Sequence, residues 1–478
     1  MTSTSSKTLL LLWIDAHCFP VICAVVTWWR RLAGLLARTD RKTPPRSIIF
    51  LKLAEQGSTV LAGEMIKQAT ERVGRANVYF LMFEENRFIL DVMGLVPPEN
   101  VLTIRTRSAW SMAVSCLARL REIRRRRIDA CIDMEFFARS SAVIAYLMGT
   151  RIRVGFHCYF GEGPYRGDLF THRVLYNAHI HASKIFLTLV NALDVPPERL
   201  PTFDYAPPAR IGLPLFEPAA EERAEVAAML AELALVDGGK GEGGGGKGEG
   251  GGGGSGGGGE GNGGDPPLAV PGEARNPAGG LPPLAEKPGD GSPPPPAAGA
   301  RKRRLILLNA NASDLMPLRK WEQLNYVELA RRLLDTFPDA CIGFTGGPAE
   351  AAKTEGLVRQ VGSPRCFCLA GRTTLRQLLI VYGLAEILVT NDSGPAHFAA
   401  LTPVDVVVLF GPETPLLFGT LSPRNHNVWA GLACSPCINA WNNRQTACRD
   451  AACMKAITVN QVFETVCQVY RQRTTQPD

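Results

Sequence analysis

One short polar loop carries the residue types best suited to acid–base and phosphate chemistry. In chain order, the loop contains Asp392, Ser393, Gly394 and His397. The loop follows the apolar run 387–389, and Pro395 is typical of a first helical turn, so the pattern predicts a strand, a tight loop and a helix. The start of a helix at the end of a parallel strand favours a phosphate-bearing ligand. Gly394 would let that ligand approach the backbone, while Asp392 offers an acceptor and His397 a titratable donor.

The surrounding stretch, residues 386–423, decides how this loop is interpreted. In isolation the loop is typical of a routine strand–helix turn, with Asp392 as a helix cap and His397 as a satisfied histidine. In context it resembles the donor-site signature of glycosyltransferase family 9, the heptosyltransferases of lipopolysaccharide synthesis. That family carries D-S/T-G-x-x-H, an apolar strand and then F-G-P-T-x-P. Here residues 392–397 spell DSGPAH and residues 410–415 spell FGPETP.

Apolar runs alternate with helical patterns along both halves of the chain. The predicted strands are residues 48–51, 78–82, 101–104, 130–133, 305–308, 340–345, 366–369, 387–389 and 404–410. Alternation of this kind indicates parallel sheets with helices on both faces. The predicted fold class is therefore α/β of the GT-B arrangement, in which two doubly wound, Rossmann-like domains face a cleft.

Composition divides the chain into four predicted regions. Residues 1–45 are an N-terminal apolar segment with a basic connector, and residues 46–237 form the acceptor-side domain. Residues 238–300 are rich in glycine and then in proline, and we expect this linker to be disordered because it can bury little apolar surface. Residues 301–478 form the domain that binds the nucleotide-sugar donor, with a cysteine cluster and a final helix at its end.

The general base is expected on a loop of the first domain, residues 55–59. The resemblance implies Gly-Asp in this loop, where the aspartate would deprotonate the acceptor hydroxyl, but this sequence has Gly57-Ser58. Serine is a poor base at neutral pH, so Ser58 is kept only as an acceptor-side residue. Glu55 is the predicted substitute, and an exposed loop carboxylate without a catalytic role is the alternative.

Asp133, Glu135 and His181 are further candidates in the first domain. Asp133 ends a predicted strand and Glu135 follows it, and the carboxyl ends of such strands face the cleft, so both are further acidic candidates, with Asp133 as the second candidate base. A helix cap and an ion-pair partner are their other interpretation. His181 lies near a histidine position of the resembled family and is assigned to the acceptor side, whereas a lone loop histidine is more often simply solvated.

The resemblance also implies donor-binding residues in the second half. Asn311 lies in the polar loop 309–314, which is similar to the family's phosphate-proximal segment. Arg319 stands where relatives carry a basic residue on the donor phosphate, and Lys320 adjoins it. A guanidinium suits a diphosphate because it can bond in a bidentate way. Glu350 matches a carboxylate that contacts the donor ribose; helix-flanking surface charges are the alternative for these residues.

The most apolar stretch, residues 9–29, approaches the length of a membrane span. Asp15 and Pro20 interrupt it, and a carboxylate in mid-membrane costs about 3 kcal/mol. Residues 28–31, WWRR, are typical of an interfacial belt followed by positive charge on the cytoplasmic side. We expect a signal anchor or an in-plane membrane helix at the cytoplasmic face of the bacterial inner membrane, with a helix packed on the first domain as the alternative.

Charge and cysteine content limit the remaining classes. The net charge is +7, but no zinc-finger spacing and no basic run interleaved with aromatics is present, so nucleic acid is not an expected partner. The basic clusters suit a membrane surface or a phosphorylated acceptor. Thirteen cysteines, with no cleavable signal peptide expected, indicate reduced thiols. Two close pairs predict either a structural zinc site or a plain thiol cluster, formed by Cys434, Cys437, Cys448 and Cys453.

Together these features predict an inverting, metal-independent glycosyltransferase that requires no cofactor. By resemblance, it moves a sugar, with heptose favoured, from a nucleotide diphosphate donor such as ADP-heptose to a lipopolysaccharide-core or other lipid-linked acceptor. A carboxylate of the first domain would deprotonate the acceptor. Arg319, His397 and the helix start at 393–394 would stabilise the charge on the leaving group, and Asp392 would orient the donor sugar.

Two other functions stay open from the sequence. A sugar-nucleotide-binding protein that no longer catalyses transfer is favoured by Ser58 at the position of the family aspartate. A nicotinamide dehydrogenase would also have doubly wound sheets, but neither opening loop carries G-x-G-x-x-G.

Overall fold

Short buried strands form two parallel six-stranded sheets, one in each half of the chain. The predicted linker, residues 238–300, lies outside the described residues, as do Ser313 and Asp314 of the predicted phosphate-proximal loop. The computed structural model describes residues 10, 13–36, 40–41, 43–159, 164–236, 303–312, 316–442 and 446–475.

The first sheet is built from strands that are apolar on both faces. These are β1 (Ile48–Leu51), β2 (Val78–Phe83), β3 (Val101–Ile104), β4 (Ala130–Asp133), β5 (Ile152–Phe156) and β6 (His172–Val174). They lie in the order β3-β2-β1-β4-β5-β6, and each neighbouring pair is parallel. Every residue of β1, β4 and β5 is buried, as expected for a parallel sheet that helices cover on both sides.

The second sheet repeats this arrangement. Its strands are β7 (Arg304–Asn309), β8 (Ala340–Phe344), β9 (Cys366–Cys368), β10 (Ile387–Asn391), β11 (Asp405–Phe410) and β12 (Asn425–Trp429). They lie in the order β12-β11-β10-β7-β8-β9, again with parallel neighbours. The predicted α/β fold of two doubly wound sheets is therefore confirmed.

Helices connect the strands and cover both faces of each sheet. In the first half they are α1 (Phe19–Leu36), α2 (Gln56–Leu61), α3 (Gly63–Val73), α4 (Arg87–Met93), α5 (Ala109–Arg126), α6 (Arg139–Leu147), α7 (Ala182–Asn191) and α8 (Ala220–Val236). In the second half they are α9 (Gln323–Thr336), α10 (Ala351–Val361), α11 (Leu375–Leu384), α12 (Gly394–Ala399), α13 (Pro415–Phe418), α14 (Ala452–Lys455) and α15 (Val459–Thr475).

Each sheet reverses its strand order once, and the reversal marks a crevice. The reversal lies between β1 and β4 in the first sheet and between β7 and β10 in the second. In doubly wound sheets, ligands bind outside the carboxyl ends of the strands at this point. The loop after β1, which carries Glu55, and the loop after β10, which carries Asp392, both leave such a position.

Helix α8 belongs in sequence to the first half but packs on the second. Val226 is buried among residues that cover the second sheet, including Leu379 of α11. The Nε of Arg376 donates to Glu222 Oε1 at 2.6 Å. The predicted acceptor-side segment, residues 46–237, thus ends in a helix that is part of the second domain's surface layer.

Helix α1 packs one face on the first domain and exposes an apolar face. Cys23 and Thr27 are buried, and the Thr27 hydroxyl accepts a hydrogen bond from the Asp168 amide at 2.9 Å. Arg30 pairs with the Asp168 carboxylate. Among the described helices, none is long and apolar enough to cross a bilayer. Packing on the domain is thus observed for one face of α1, and the in-plane membrane helix stays a prediction for its exposed face.

Asp15, which interrupts the apolar stretch, caps α6. Its carboxylate accepts hydrogen bonds from the amides of Ser140 at 2.8 Å and Arg139 at 3.2 Å. The Arg139 guanidinium adds an ion pair at 3.5 Å. The N-cap residue itself, Ala138, has no side chain that can do this. A carboxylate that would be costly in a membrane is thus satisfied at the start of a helix.

We expect Asp15→Ala to lower the free energy of unfolding by about 1 kcal/mol, because two helix amides lose their acceptor. Urea unfolding followed by circular dichroism measures this difference. Asp91→Ala is the matched control, since Asp91 only forms an exposed ion pair with Arg87 within α4 and should change stability by less than about 0.5 kcal/mol. Equal effects of the two substitutions would contradict the capping role.

Candidate active site

Asn391 holds together the loops that carry the predicted phosphate-binding residues. It ends β10 and is fully buried. Its Oδ1 accepts a hydrogen bond from the Trp321 amide at 3.0 Å, and its Nδ2 donates to the Asn311 carbonyl at 3.1 Å. One amide side chain thereby ties the segment after β7 to the end of β10. Because Arg319 lies two residues before Trp321, the same bonds fix its position.

The Arg319 side chain is buried between two carboxyl groups. Its guanidinium lies 2.6 Å from Glu413 Oε1 and 3.7 Å from Asp392 Oδ2. Its Nη1 also donates to the Asp392 backbone carbonyl at 3.3 Å. Burial disfavours the charge, but the neighbouring Glu413 and Asp392 raise the pKa of Arg319 above its ordinary value. A permanently charged guanidinium therefore sits at the switch point of the second sheet.

Asp392 and Glu413 form a buried, hydrogen-bonded pair of carboxyl groups. Burial raises the pKa of Glu413 to about 7; Arg319 opposes this rise and the charge of Asp392 adds to it. Burial also raises the pKa of Asp392. Two carboxyl groups in hydrogen-bond contact do not ionise independently, so the pair shares a proton near neutral pH.

Glu413 is a site residue that the sequence analysis does not single out. The available signal was its place in FGPETP, where the resembled family has threonine. A charged residue at that place is buried next to Arg319, and this could only be recognised once the end of β11 was known to lie beside the end of β10.

Ser393 and Gly394 begin α12 as predicted. Ser393 is the N-cap residue, but its hydroxyl donates to the Asn391 carbonyl at 3.1 Å instead of accepting from a helix amide. The start of this short helix therefore has no side-chain cap. An uncapped helix start next to Arg319 suits an anionic group.

His397 is the point at which the second domain meets the loop after β1. It is 8% exposed, and a Cβ built on Gly57 would lie 2.6 Å from its Cδ2, so the imidazole edge packs directly on the Gly57 backbone. Burial lowers the pKa of His397 to about 3, with His181 and Arg319 contributing, so the ring is neutral. Its Nδ1 is buried without a hydrogen-bond partner among the described residues, a rare state that marks a place for a ligand or water.

The loop after β1 presents Glu55 beside this contact. Glu55 has a φ of 67°, a left-handed backbone conformation that residues other than glycine rarely adopt. Its carboxylate accepts a hydrogen bond from the Ser58 hydroxyl at 3.1 Å and pairs with Lys52 Nζ at 3.2 Å. The side chain is 33% exposed. Ser58, at the position of the family aspartate, thus orients the carboxylate that is predicted to replace it.

A buried lysine and a second glutamate support this loop. Lys52 is fully buried and also pairs with Glu135 at 2.9 Å. The other oxygen of Glu135 accepts from the amides of Leu53 at 2.8 Å and Ala54 at 3.2 Å. Glu135 therefore shapes the loop backbone, and Lys52 links that support to Glu55. Glu135 is an acidic candidate of the sequence, and here it supports the loop. Lys52 is not selected from the sequence, because its ion pair with Glu135 joins the segments that follow β1 and β4.

The prediction of Asp133 as a second base does not fit its surroundings. Asp133 is fully buried at the end of β4 and pairs with the buried guanidinium of Arg166. It also accepts hydrogen bonds from the Ser141 hydroxyl and the Glu135 amide. Burial raises its pKa to about 6, and Arg166 opposes that rise. A carboxylate enclosed in this way has no route to an acceptor, and the alternative of an ion-pair partner describes it.

His181 joins the two domains instead of facing a substrate. Its Nε2 donates to the Gly419 carbonyl of the second domain at 2.9 Å, while Nδ1 lies 2.8 Å from the Ser183 hydroxyl. Burial lowers the pKa of His181, so the ring is neutral. Both ring nitrogens are engaged, and the predicted acceptor-side role is replaced by an interdomain hydrogen bond.

The remaining predicted donor-side residues lie around the ends of β7 and β8. Glu350 accepts a hydrogen bond from the Gly347 amide at 2.7 Å. A Cβ on Gly346 would lie 2.8 Å from Asn311 Nδ2 and 3.1 Å from Glu350 Oε2, so these two side chains flank one glycine. Lys320 is half-buried next to Arg319. The predicted donor-binding residues thus gather along the carboxyl edge of the second sheet.

The four C-terminal cysteines carry free thiols, as do the other nine. Burial raises the pKa of Cys453, and Cys437 and Cys434 add to that rise, so these three thiols are neighbours. Within the described ranges, no three potential ligand side chains are grouped closely enough to hold a metal ion. Cys448 is half-buried beside the undescribed residues 443–445. The choice between a zinc site and a plain thiol cluster stays a prediction.

Comparison with known sequences supports the resemblance. Residues 285–447 match the family model described as Glycosyltransferase family 9 (heptosyltransferase). Over 105 residues the chain is 33% identical to Lipopolysaccharide heptosyltransferase 2 of Salmonella typhimurium and 34% identical to that of Escherichia coli. Each of these alignments covers 22% of this chain and 30% of the relative, so the chain matches less than a third of these curated relatives' length.

Solved structures extend the likeness to the fold of both domains. The E. coli ADP-heptose lipopolysaccharide heptosyltransferase II has a TM-score of 0.57 at 16% identity, covering 90% of this chain and all of that one. A family 9 glycosyl transferase from Veillonella parvula has a TM-score of 0.58 at 14% identity, covering 91% and 100%. The sequence match is thus concentrated in the second domain, while the fold is shared along both.

The shared proton of Asp392 and Glu413 predicts a pH-dependent stability. Because the folded-state pKa of Glu413 is raised from 4.5 to about 7, its ionisation opposes folding. This destabilisation is absent below about pH 4.5, grows as the pH rises to 7 and is constant above. Because Glu413→Gln also weakens the contact with Arg319, the prediction concerns the trend: between pH 4.5 and 7 the free energy of unfolding of Glu413→Gln should rise relative to that of the wild type by on the order of 1–3 kcal/mol.

Urea unfolding of both proteins between pH 4.5 and 8 measures the difference. Glu328→Gln, at an exposed ion pair with Arg332, is the matched control and should show no such trend. Parallel stability curves for Glu413→Gln and the wild type would mean that the pair does not hold a proton.

Proposed function

We propose that this chain transfers a sugar from a nucleotide diphosphate donor to a glycolipid acceptor. Its second domain matches the model of glycosyltransferase family 9. Heptose is the favoured sugar, ADP-heptose the favoured donor and a lipopolysaccharide core the favoured acceptor, as in the relatives' names. The reaction inverts the anomeric centre and needs neither a metal ion nor another cofactor. It takes place at the cytoplasmic face of the inner membrane.

One observation carries this proposal: the direct packing of His397 on Gly57. The contact sets the loop that holds Glu55 against the helix that begins at Ser393 and Gly394. A candidate base and a candidate diphosphate site therefore border the same crevice. That is the arrangement a transferase needs, because the acceptor hydroxyl and the leaving group must be held on opposite sides of one sugar carbon.

On the donor side, Arg319 stabilises the departing diphosphate. Its guanidinium is charged, rigidly held and able to bond two phosphate oxygens. A diphosphate brings more negative charge beside Asp392 and Glu413, and the proton that this pair shares limits the repulsion. Lys320 adds a second positive charge, while Glu350 and Asn311 flank the place for the nucleoside. Charge that develops on the leaving group thus meets preorganised donors.

On the acceptor side, Glu55 takes the proton from the attacking hydroxyl. Its carboxylate is partly exposed, and the Ser58 hydroxyl at 3.1 Å holds its orientation. Lys52 pairs with the Glu55 carboxylate and balances its charge. The Glu55–Ser58 pair stands where the family has a single aspartate, so it keeps a carboxylate at the crevice.

A catalytically inactive sugar-nucleotide-binding protein is the second candidate. The absence of the family aspartate at Ser58 favours it. Under this alternative the donor site is complete, and Glu55 only forms the ion pair with Lys52. Donor binding without acceptor-dependent release of nucleotide diphosphate would be its signature.

The first test is donor turnover by the purified full-length protein. Release of nucleotide diphosphate is measured across ADP-, GDP- and UDP-sugars with lipopolysaccharide-core acceptors. We expect acceptor-dependent release from ADP-heptose. Tight binding of a donor without release, with every acceptor offered, would instead support the binding protein.

We expect Glu55→Gln to lower kcat by about 10²–10⁴-fold with little change in donor affinity, because the base is lost while the donor site is intact. Glu71→Gln on the exposed face of α3 is the matched control and should keep wild-type turnover.

Asp133→Asn should destabilise the fold by about 3–5 kcal/mol, since it leaves Arg166 buried without its partner, yet the folded fraction should keep its turnover. Loss of turnover in folded Asp133→Asn with retention in Glu55→Gln would reverse the assignment.

We expect Arg319→Lys to raise the KM for the donor by roughly 10–100-fold, because a lysine keeps the charge but cannot bond the diphosphate in a bidentate way. Steady-state kinetics over a donor concentration series measure the change. Arg332→Lys, at an exposed position of α9, is the control. An unchanged donor KM in Arg319→Lys would place the diphosphate elsewhere.

A further inference from the structure

Two helices of the first domain each expose several large apolar side chains. On α1 the exposed side chains include Trp28 at 65% and Trp29 at 60%, and on α5 they include Trp110 at 79%. We call this surface the docking face and define it by Val21, Val25, Trp28, Trp29, Leu32, Trp110, Val114 and Leu117. Large exposed apolar surfaces of this kind mark interaction sites.

The α5 side of the docking face is one stripe that ends at α1. Trp110, Val114 and Leu117 are spaced by four and three residues, and Arg121 and Arg124 continue the same spacing. Arg124 then lines a pocket together with Trp28 and Trp29 of α1. The end of α5, seven residues beyond Leu117, therefore reaches the exposed face of α1 through Arg124.

The pocket has a volume of about 580 Å³ and combines indole rings with arginines. Its arginines are Arg124, Arg151 and Arg153. Arg153 is buried and donates to the carbonyls of Leu169 at 2.8 Å and Thr150 at 2.6 Å. Its guanidinium also lies 5.4 Å from the centre of the Tyr146 ring. Carbonyl and ring contacts hold this side chain without neutralising it.

Two further features of the pocket indicate an anion. The Thr150 hydroxyl, on a side chain buried to about 98%, has no hydrogen-bond partner in the part of the chain that is described. Burial lowers the pKa of Arg153 to about 10, and the charges of Arg30 and Arg41 contribute to this. Neighbouring arginines thus add positive charge beside the pocket, while Arg151 pairs with Asp129 at 3.1 Å and Asp40 at 4.0 Å.

The charge of the two helices is equally one-sided. Helix α1 contains no acidic residue, although its two arginines both pair with Asp168, and α5 contains five arginines and a single glutamate, which pairs within its own helix. A helix surface with exposed tryptophans and an excess of arginine fits the interface of a bilayer that carries anionic lipid. A soluble partner protein would need an acidic apolar groove to match it, whereas an anionic bilayer supplies both properties at once.

We propose that the docking face binds the surface of a bilayer containing anionic phospholipid, with the phosphate of one headgroup in the pocket between Arg124, Arg153 and Thr150. Trp28 and Trp29 lie at the interface, and α1 rests in the membrane plane. This inference goes beyond the proposed transferase activity, because it assigns a lipid-binding surface separate from the crevice that holds Glu55 and Arg319. It does not depend on which sugar is transferred.

The test is flotation of the full-length protein with vesicles of phosphatidylcholine alone or of phosphatidylcholine mixed with phosphatidylglycerol. We expect binding to the mixed vesicles only, and weakening of that binding as salt is raised, because part of the attraction is electrostatic. The paired substitution Trp28→Ala and Trp29→Ala should lower the partition coefficient about tenfold or more. Arg124→Glu should lower it by a similar factor.

Matched variants on the second domain control for exposure and charge. Leu324→Ala removes an exposed apolar side chain of α9, and Arg359→Glu reverses an exposed charge of α10. Both should bind vesicles as the wild type does. Release of nucleotide diphosphate with a soluble, delipidated acceptor should be unchanged in the docking-face variants, so loss of lipid binding and loss of catalysis are read separately.

Three outcomes would overturn the proposal. Equal binding to neutral and anionic vesicles would remove the headgroup assignment. Wild-type vesicle binding by the Trp28 and Trp29 variant, or by Arg124→Glu, would remove the docking face. A dimer in light scattering that this tryptophan variant dissociates, with no binding to either vesicle, would show that a second copy of the chain covers the face.

Discussion

The burial of Arg319 between Asp392 and Glu413 is the constraint on which the second domain's site depends. A guanidinium in a dry position is tolerated only when acceptors are held around it, and here they come from the ends of two further strands. A parallel sheet supplies that convergence, because β7, β10 and β11 all end at the same edge. Asn391 then locks the connecting segments by bonding both Trp321 and Asn311. The protein itself thus holds the Arg319 guanidinium in position, independently of a ligand.

The two domains are coupled by contacts that leave little freedom at the crevice. His397 packs on Gly57, where even a methyl group would collide with the imidazole. The His181–Gly419 hydrogen bond and the Phe216 amide bonded to the Leu401 carbonyl at 2.7 Å add further links. Because the loop with Glu55 is itself held by Lys52 and Glu135, a shift of the second domain would be transmitted to the candidate base. The position of Glu55 in the crevice therefore depends on both domains.

The sequence predicted what is local and missed what is assembled from distant segments. The loop with Asp392 and His397 was recognisable because strand, turn and helix signals follow one another within a few residues. Strands β6 and β12 were not predicted, since both are edge strands with several polar residues, and β5 was not predicted because Arg153 interrupts its apolar run. Glu413 and Lys52 were missed because their partners are far away in the chain. Asp133 was misassigned for the same reason, since nothing near it in the sequence reveals the guanidinium of Arg166.

The N-terminal segment shows why hydropathy alone could not assign its place. Its apolar residues divide between two surroundings, since Cys23 and Thr27 face the domain while Val25 and Trp28 face outward. Asp15, which argued against a membrane span, instead caps a helix of the folded domain. The folded domain supplies the hydrogen-bond partners of these polar groups. No polar side chain then draws the outer face of α1 against the protein, and its tryptophans stay exposed. A helix fixed to the domain in this way can approach a bilayer without leaving the protein, so under the proposed lipid docking the crevice would keep a constant height above the membrane.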